Sequence, residues 1–363
     1  MKSGPVKPSV EYMVQLDGIR AFAVVGVIFE HWASGLPGPI RRVVESLDLG
    51  GWGVECFFVL SGFLITLILL DLKEQQLSFR SALGHFYMRR VLRIFPAYYA
   101  ALFATSLIFP EMWSVLGWHA LYLSDIYPAW HGTWPPIGGH FWSLSVEEHF
   151  YLFWPLVVLA FPVDTLKRLA IGFGLFGPLS RSAIWYIAGG PHVAIWTIAT
   201  SAFDLLCLGA FLACIKHQSG LAADSRAMRR LVTAGLIALF LYLLLFFFFR
   251  ATLPFVAFGR TLTALYFGAL VASAANGFKG QLGRILENRF IVWLGTISYG
   301  LYIFHPFVPK AYVLLVDFIG ANRELFGIFY LRYPLLTALL LLVTSSSYYL
   351  LERPVRSFRR YFA

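Results

Sequence analysis

The feature that most constrains this chain is a series of apolar runs, each close to the ~20 residues that a helix needs to cross a bilayer. Of the 363 residues, 59% are hydrophobic and only 13% are charged, so a soluble fold would lack surface charge. We therefore predict an all-α, polytopic membrane protein with about ten transmembrane helices. The runs lie at 14–33, 52–72, 91–110, 142–162, 168–189, 197–215, 231–250, 255–275, 290–309 and 334–351.

The distribution of Lys and Arg predicts how these helices are oriented. With a cytoplasmic N-terminus, 20 of these residues fall in inside segments and 6 in outside segments, which is the bias of the positive-inside rule. We expect both termini to be cytoplasmic. The stretches between runs are short, so residues 1–363 are predicted to form one integral-membrane domain with no appended soluble domain.

The net charge of +10 does not indicate a nucleic-acid partner, because the basic residues cluster in short loops between apolar runs. Cys56, Cys207 and Cys214 lie within apolar runs without metal-ligand spacing. We interpret them as buried small hydrophobic residues. No metal site is expected.

The first apolar run contains Asp17, Arg20, Glu30 and His31. An ionisable group in the bilayer costs roughly 2.5–3.5 kcal/mol at its centre, so such groups usually face a protein interior and mark a functional site. Eleven positions separate Arg20 from His31, or about 16 Å along a helix. One helix therefore contributes to two depths of the membrane.

The predicted orientation places further ionisable groups in the outer half, near His31. They are Glu55, the adjacent pair Glu147 and Glu148, and His305. A histidine beside a carboxylate is a candidate general base. Alternatively, these carboxylates pair with arginines inside the membrane, such as Arg181 or Arg260. The loop 111–141 is rich in Trp and His, which suits stacking on sugar rings or, equally, an interfacial aromatic belt.

The inner side has a cluster of arginines at the start of the third run. Arg89 and Arg93 are four positions apart and share a helix face, and Arg90 is adjacent. Guanidinium groups match phosphate oxygens in a bidentate manner. The cluster therefore suits a polyanion, although lipid head groups would explain it as well.

Six sequence blocks, in order along nearly the whole chain, resemble the membrane acyltransferase family 3. They are Asp17-Gly18-Ile19-Arg20-Ala21 with His31; FFVLSGFLIT at 57–66; FYxRRxxRIxP at 86–96; WSLSVEExFY at 142–151; SYxLYxxHxF at 298–307; and Glu352-x-Pro354. Two positions depart from the family pattern. Glu55 stands where Asp is more usual, and Glu30 beside His31 is unusual.

The resemblance implies transfer of an acyl group, usually acetyl, from cytoplasmic acyl-coenzyme A to a hydroxyl group. Typical acceptors are bacterial polysaccharides, lipopolysaccharide or peptidoglycan, and sometimes small molecules such as macrolides. It implies a bacterial cytoplasmic (inner) membrane location and contact with membrane lipid. Some members carry an appended extracytoplasmic hydrolase-like domain. We expect none in this chain, so a second acyl-carrying step is expected to need a separate periplasmic protein.

The resemblance also implies residue roles. His31 is expected to be the catalytic histidine, as general base or acyl carrier, with Glu55, Glu147 or Glu148 orienting it. The expected coenzyme A ligands are Arg20, Arg89, Arg90 and Arg93. Further site residues are expected at Asp17, Ser143, Ser145, Tyr299 and His305. A transporter or flippase of a polar lipid or saccharide is the alternative function, since it would use the same charges along a substrate path.

Overall fold

The computed structural model describes residues 12–358, and these residues contain α-helices and no β-strand. The predicted cytoplasmic location of the two termini falls on residues outside this range. The helices are α1 (Val14–His31), α2 (Gly38–Leu47), α3 (Leu49–Glu74), α4 (Phe79–Ile108), α5 (Leu116–Ala120), α6 (Ile126–His131), α7 (Phe141–Ala160), α8 (Val163–Gly174), α9 (Phe176–Ala188), α10 (Ala194–Thr197), α11 (Phe203–Ser219), α12 (Arg226–Phe249), α13 (Leu253–Ala275), α14 (Gly280–Leu286), α15 (Arg289–Thr296), α16 (Ser298–Phe304), α17 (Val308–Phe318), α18 (Arg323–Gly327), α19 (Phe329–Ser346) and α20 (Arg353–Ser357).

Six helical segments in the described range are long and apolar enough to cross a membrane, and a seventh is present if α16 and α17 form one span. These two helices are bent by 62° where they meet. The all-α, multi-pass architecture is confirmed, whereas the predicted number of ten spans is not. The six segments are Gly38–Glu74, Phe79–Ile108, Ala199–Ser219, Arg226–Phe249, Leu253–Ala275 and Phe329–Ser357.

Two predicted runs are not single helices. The run 168–189 is broken at Leu175 into α8 and α9, which have 12 and 13 residues and are each too short to span a bilayer alone. Gly174 and Gly177 flank this break, and glycine disfavours a helix interior. The run 290–309 comprises α15 and α16, which meet at Ile297, followed by the bend before α17.

Helix α3 lies at the centre of the bundle and contacts α1, α7, α11 and α13. Its apolar segment is 78% buried inside the protein, against 22% for α12. Helices α3 and α11 approach backbone to backbone: a Cβ atom at Gly62 would overlap the carbonyl of Leu206, and one at Gly209 would overlap that of Val59. This close packing restricts the position of α3, which contributes lining residues to both cavities described below.

Two arginines inside the bundle are neutralised by carboxylates. Arg181 pairs with Asp204 at 2.6 Å, and Arg260 pairs with Glu55 at 3.2 Å. All four side chains are at least nine-tenths buried. Glu55 therefore forms the ion pair with a membrane arginine that the alternative interpretation predicted.

Candidate functional site

Two cavities adjoin in the middle of the bundle. The smaller one, which we name the arginine cavity, encloses about 180 Å³, and the larger one, the histidine cavity, encloses about 440 Å³. Polar residues that line the arginine cavity are Arg20, Ser61, Arg90, Arg93, Ser143, Glu147, Glu148, Tyr151, Ser298, Tyr299 and Tyr302. The histidine cavity is lined by Glu30, His31, Asp48, Glu55, His140, Arg250, Arg260 and the indoles of Trp134, Trp142 and Trp196, among others.

His31 ends α1 and presents an exposed ring to the histidine cavity. Its Nδ1 lies 2.9 Å from the carbonyl oxygen of Val27, one turn earlier in the same helix. Because a carbonyl oxygen can only accept a hydrogen bond, Nδ1 must carry the ring proton. The Nε2 atom of the neutral ring therefore has a free lone pair, as a general base or nucleophile requires.

Two further histidines extend this site. The His305 ring packs edge-on against His31, with centroids 4.9 Å apart, and His140 lies 5.3 Å from His305. The Nδ1 atom of His305 donates to the carbonyl of Tyr302, and Nε2 of His140 donates to the carbonyl of Ile303. The remaining nitrogen of each ring is buried without a hydrogen-bond partner in the described chain. His305 was predicted as a site residue, but His140 was not. The sequence feature that could have indicated His140 is its position directly after two glycines and just before the fourth apolar run.

The carboxylates of the histidine cavity do not orient His31. Glu55 accepts hydrogen bonds from Arg260 and from the Thr263 hydroxyl, at 3.2 and 2.5 Å. Glu30 accepts one from the Gly50 amide at 2.7 Å. In the described part of the chain, no carboxylate hydrogen-bonds to His31, and the carbonyl of Val27 is the group in contact with its Nδ1.

The arginine cavity brings together three of the four predicted coenzyme A ligands. Arg20 pairs with Asp17 at 2.5 Å, and Arg90 lies over the rings of Phe86 and Tyr151 at 5.6 and 5.7 Å. Neither Arg90 nor Arg93 has a carboxylate partner within 4 Å among residues 12–358. Their guanidinium groups are thus available for an anion.

Arg89, by contrast, lines neither cavity, although its neighbour Arg90 does. Consecutive residues of a helix point about 100° apart, so a cavity on one face of α4 excludes one of the two. Its predicted role as a coenzyme A ligand has no structural support.

Glu147 and Glu148, predicted to lie near His31, line the arginine cavity and not the histidine cavity. The Ser61 hydroxyl donates to Glu147 at 2.5 Å, and the Tyr151 hydroxyl donates to Ser61 at 3.1 Å. Glu147 lies six residues after the start of α7, which is about 9 Å deeper along the helix. Ser61, which belongs to the block at 57–66, was not among the predicted site residues, and this hydrogen-bonded chain was not predicted from the sequence.

The other predicted site residues have separate locations. Ser143 lines the arginine cavity, and its Oγ lies 2.5 Å from the Tyr302 hydroxyl. Tyr299 lines the same cavity and donates to the carbonyl of Ile94. Ser145 lines neither cavity; it accepts a hydrogen bond from the Ser124 amide and supports the loop between α4 and α7. Across residues 12–358, no group of three or more His, Cys, Asp or Glu side chains could hold a metal ion.

The bundle and its internal charged cavities define a multi-pass membrane protein with polar chemistry at its centre. A family model described as an acyltransferase domain matches residues 13–352, nearly the whole chain. The chain therefore belongs to the membrane acyltransferase family 3.

The curated relatives include O-acetyltransferases. The chain is 30% identical over 322 residues to the peptidoglycan O-acetyltransferase OatA of Listeria monocytogenes, covering 81% of this chain and 49% of the relative. It is 29% identical over 381 residues to the putative peptidoglycan O-acetyltransferase YrhL of Bacillus subtilis, covering 95% and 55%. The chain thus spans about half the length of these relatives. No solved structure matches it.

Proposed function

We propose that this protein transfers an acetyl group from acetyl-coenzyme A to a hydroxyl group of a cell-wall glycan, with His31 as the reacting base. One observation carries the proposal: a histidine with a free Nε2 opens into a cavity that adjoins a second cavity with unpaired arginines. Family membership supports acyl transfer, and the names of the relatives support a peptidoglycan acceptor.

The donor would bind in the arginine cavity. Arg90 and Arg93 would hold the phosphates of coenzyme A, because their guanidinium groups lack carboxylate partners in the described chain and suit phosphate oxygens. Arg20 lines the same cavity, but its charge is compensated by Asp17, so Arg90 and Arg93 would be the main phosphate ligands. The pantetheine arm would reach from this cavity toward His31, about 16 Å along α1 from Arg20.

The acceptor would bind in the histidine cavity. Trp134, Trp142 and Trp196 line it, and indole faces stack well on the apolar faces of sugar rings. Trp134 is 50% exposed, as expected of a residue at the mouth of the cavity. Glu30 and Asp48 add acceptors for sugar hydroxyl groups. This favours sugar stacking for at least one tryptophan of the 111–141 loop.

The reaction requires one proton to move and one C–S bond to break. The acceptor hydroxyl gives its proton to Nε2 of His31 while its oxygen attacks the thioester carbonyl. The C–S bond of the tetrahedral intermediate then breaks, and the departing sulfur takes the proton from Nε2. The Val27 carbonyl, held at Nδ1–H, stabilises the imidazolium in between. In the covalent variant, Nε2 attacks the thioester carbonyl, the C–S bond breaks and coenzyme A departs as its thiolate. The acceptor oxygen then attacks the acetyl-imidazole, the C–N bond breaks, and the hydroxyl proton goes to the thiolate.

The protein is proposed to reside in the bacterial cytoplasmic membrane with both termini in the cytoplasm, which places the arginine cavity toward cytoplasmic acetyl-coenzyme A. The bias of Lys and Arg toward one set of loops supports this orientation. Membrane lipid surrounds the bundle, and a separate periplasmic protein would carry the acyl group onward if a second transfer is needed.

The test is an assay of purified protein with labelled acetyl-coenzyme A and soluble peptidoglycan fragments. We expect free thiol release and acetylated fragments from the wild type, and at least a 100-fold lower rate for His31→Ala, since general base catalysis contributes about 10²–10⁴-fold. His217→Ala, at a histidine that lines neither cavity, is the matched control and should keep the wild-type rate. Wild-type protein that releases no thiol would contradict the proposal and favour a transporter.

A further inference from the structure

The two cavities share two lining residues, Val54 of α3 and Tyr302 of α16. Their sequence neighbours lie on one side or the other. Glu55 lines only the histidine cavity, whereas Phe57, one turn from Val54, lines only the arginine cavity. On α7, Trp142 lines the histidine cavity, whereas the next residue, Ser143, lines the arginine cavity. Val54 and Tyr302 therefore stand at the junction of the two spaces.

Both residues are held firmly at this junction. The Tyr302 hydroxyl lies 2.5 Å from Ser143 Oγ and donates to the carbonyl of His140 at 3.1 Å, so it joins α16 to the start of α7. Val54 follows Gly53, where a Cβ atom would overlap the backbone of Ala23 in α1. Because α3 and α1 are in backbone contact at this level, α3 has little freedom to move Val54 aside.

Val54 and Tyr302 are also nearly inaccessible, with 8% and 6% of their surfaces exposed. A β-branched side chain has one strongly preferred rotamer in a helix, so the two methyl groups of Val54 have a fixed direction. Tyr302 is further restrained by the edge-on ring of Phe57, 6.3 Å away. The junction is thus bounded by side chains of defined size that do not reorient freely.

We propose that Val54 and Tyr302 form the aperture through which the acyl group of the donor reaches His31, and that the Val54 side chain limits this group to a short chain. This inference rests on the proposed function. An acetyl group places a single methyl at the aperture. Each additional methylene would have to occupy the volume already filled by Val54 and the Tyr302 ring, and closely packed interiors resist such overpacking.

The expected size of the effect follows from how well apolar pockets discriminate chain length. A single methylene is distinguished by about 10–200-fold in kcat/KM. Replacing Val54 by alanine removes two methyl groups from the aperture, so it should relax this discrimination. The ratio of kcat/KM for butyryl-coenzyme A to that for acetyl-coenzyme A should then rise at least tenfold.

The experiment compares acetyl-, propionyl- and butyryl-coenzyme A with purified full-length protein, measuring thiol release and the mass of the acylated glycan fragments. Val54→Ala should raise the butyryl-to-acetyl ratio, whereas Val54→Ile should lower the acetyl rate about tenfold and the butyryl rate further. Val59→Ala is the matched control: Val59 lies in the same helix, is fully buried and lines neither cavity. Its chain-length ratio should equal that of the wild type.

The outcomes separate the two proposals. Active wild type with an unchanged ratio in Val54→Ala overturns the aperture and leaves acetyl transfer intact. The aperture is overturned equally if Val59→Ala changes the ratio as much as Val54→Ala does. If Val54→Ala does not fold, Val54→Ile still decides, since an unaltered acetyl rate in this variant contradicts a size limit. Wild-type protein inactive with every donor refutes the proposed function itself, and the aperture with it.

Discussion

Replacing Arg181 by methionine should destabilise the bundle more than any surface substitution. The guanidinium group is fully buried and donates to both carboxylate oxygens of Asp204, at 2.6 and 3.1 Å. It also donates to the carbonyls of Ala257 and Ser201 and to the Thr261 hydroxyl. In the Arg181→Met variant, Asp204 keeps only the Thr261 hydroxyl and the amide of Leu205 as donors.

The magnitude follows from the charge that is left behind. Removing one member of a buried ion pair costs about 3–5 kcal/mol, chiefly because the other charge stays buried without compensation. At roughly 2 °C per kcal/mol for a chain of this length, Tm should fall by about 6–10 °C. Adding Asp204→Asn removes the uncompensated charge, so the double variant should recover at least about 2 kcal/mol of this loss.

The three cysteines provide the assay. Cys56, Cys207 and Cys214 are all buried, with at most 3% exposure, so a thiol-reactive dye should label them only as the protein unfolds. Detergent-purified variants are heated at one scan rate, because unfolding of membrane proteins is seldom reversible and the apparent Tm depends on that rate. The reasoning fails if Arg181→Met leaves Tm unchanged, or if the double variant is less stable than the single one.

Three further outcomes are expected. Burial lowers the pKa of His119, in the segment between α4 and α7, from 6.5 to about 4. Between these two pH values the unfolded chain binds a proton at this histidine and the folded chain does not. The free energy of unfolding should therefore be highest above pH 6.5 and fall by up to about 3 kcal/mol toward pH 4. Thermal scans from pH 7.5 to 5 should show this decline, and His119→Gln should flatten it. Gly209→Leu should abolish folded protein in size-exclusion profiles, because its side chain would overlap the backbone at Val59, whereas Gly172→Leu, with open space around it, should behave as the wild type. Trp134→Ala should raise KM for glycan fragments several-fold with little change in KM for acetyl-coenzyme A, and the opposite pattern would count against acceptor binding in the histidine cavity.

Runs of apolar residues predict helices well where a helix is continuous. The run 231–250 lies in α12, whose 24 uninterrupted residues are enough to form a continuous helix and to cross the hydrocarbon core of the bilayer. The break at Leu175 could not be predicted from the same rule. It lies beside Gly177, which packs against the Asp204 side chain of α11, and that contact exists only in the folded bundle.

The sequence predicted the location of a site residue where that location depends on its depth along a helix. Arg20 and His31 do line different cavities, as their separation on α1 requires. Glu147 was predicted near His31 from the outer position of its run, but its place on α7, both in depth and in helical phase, puts it in the lining of the arginine cavity. Ser143, Glu147 and Tyr151 recur every four residues, and this spacing puts all three on the face that lines the arginine cavity.

The orientation of His31 by the carbonyl of Val27 has a consequence for genetics. The group that fixes the reactive tautomer belongs to the main chain, four residues back on the same helix, and is the same whatever side chain stands at position 27. A saturation screen of the cavity would therefore find the base and never its orienting partner. Only a change that alters the course of α1 itself, such as a proline in its last turn, would reveal that the helix backbone takes part.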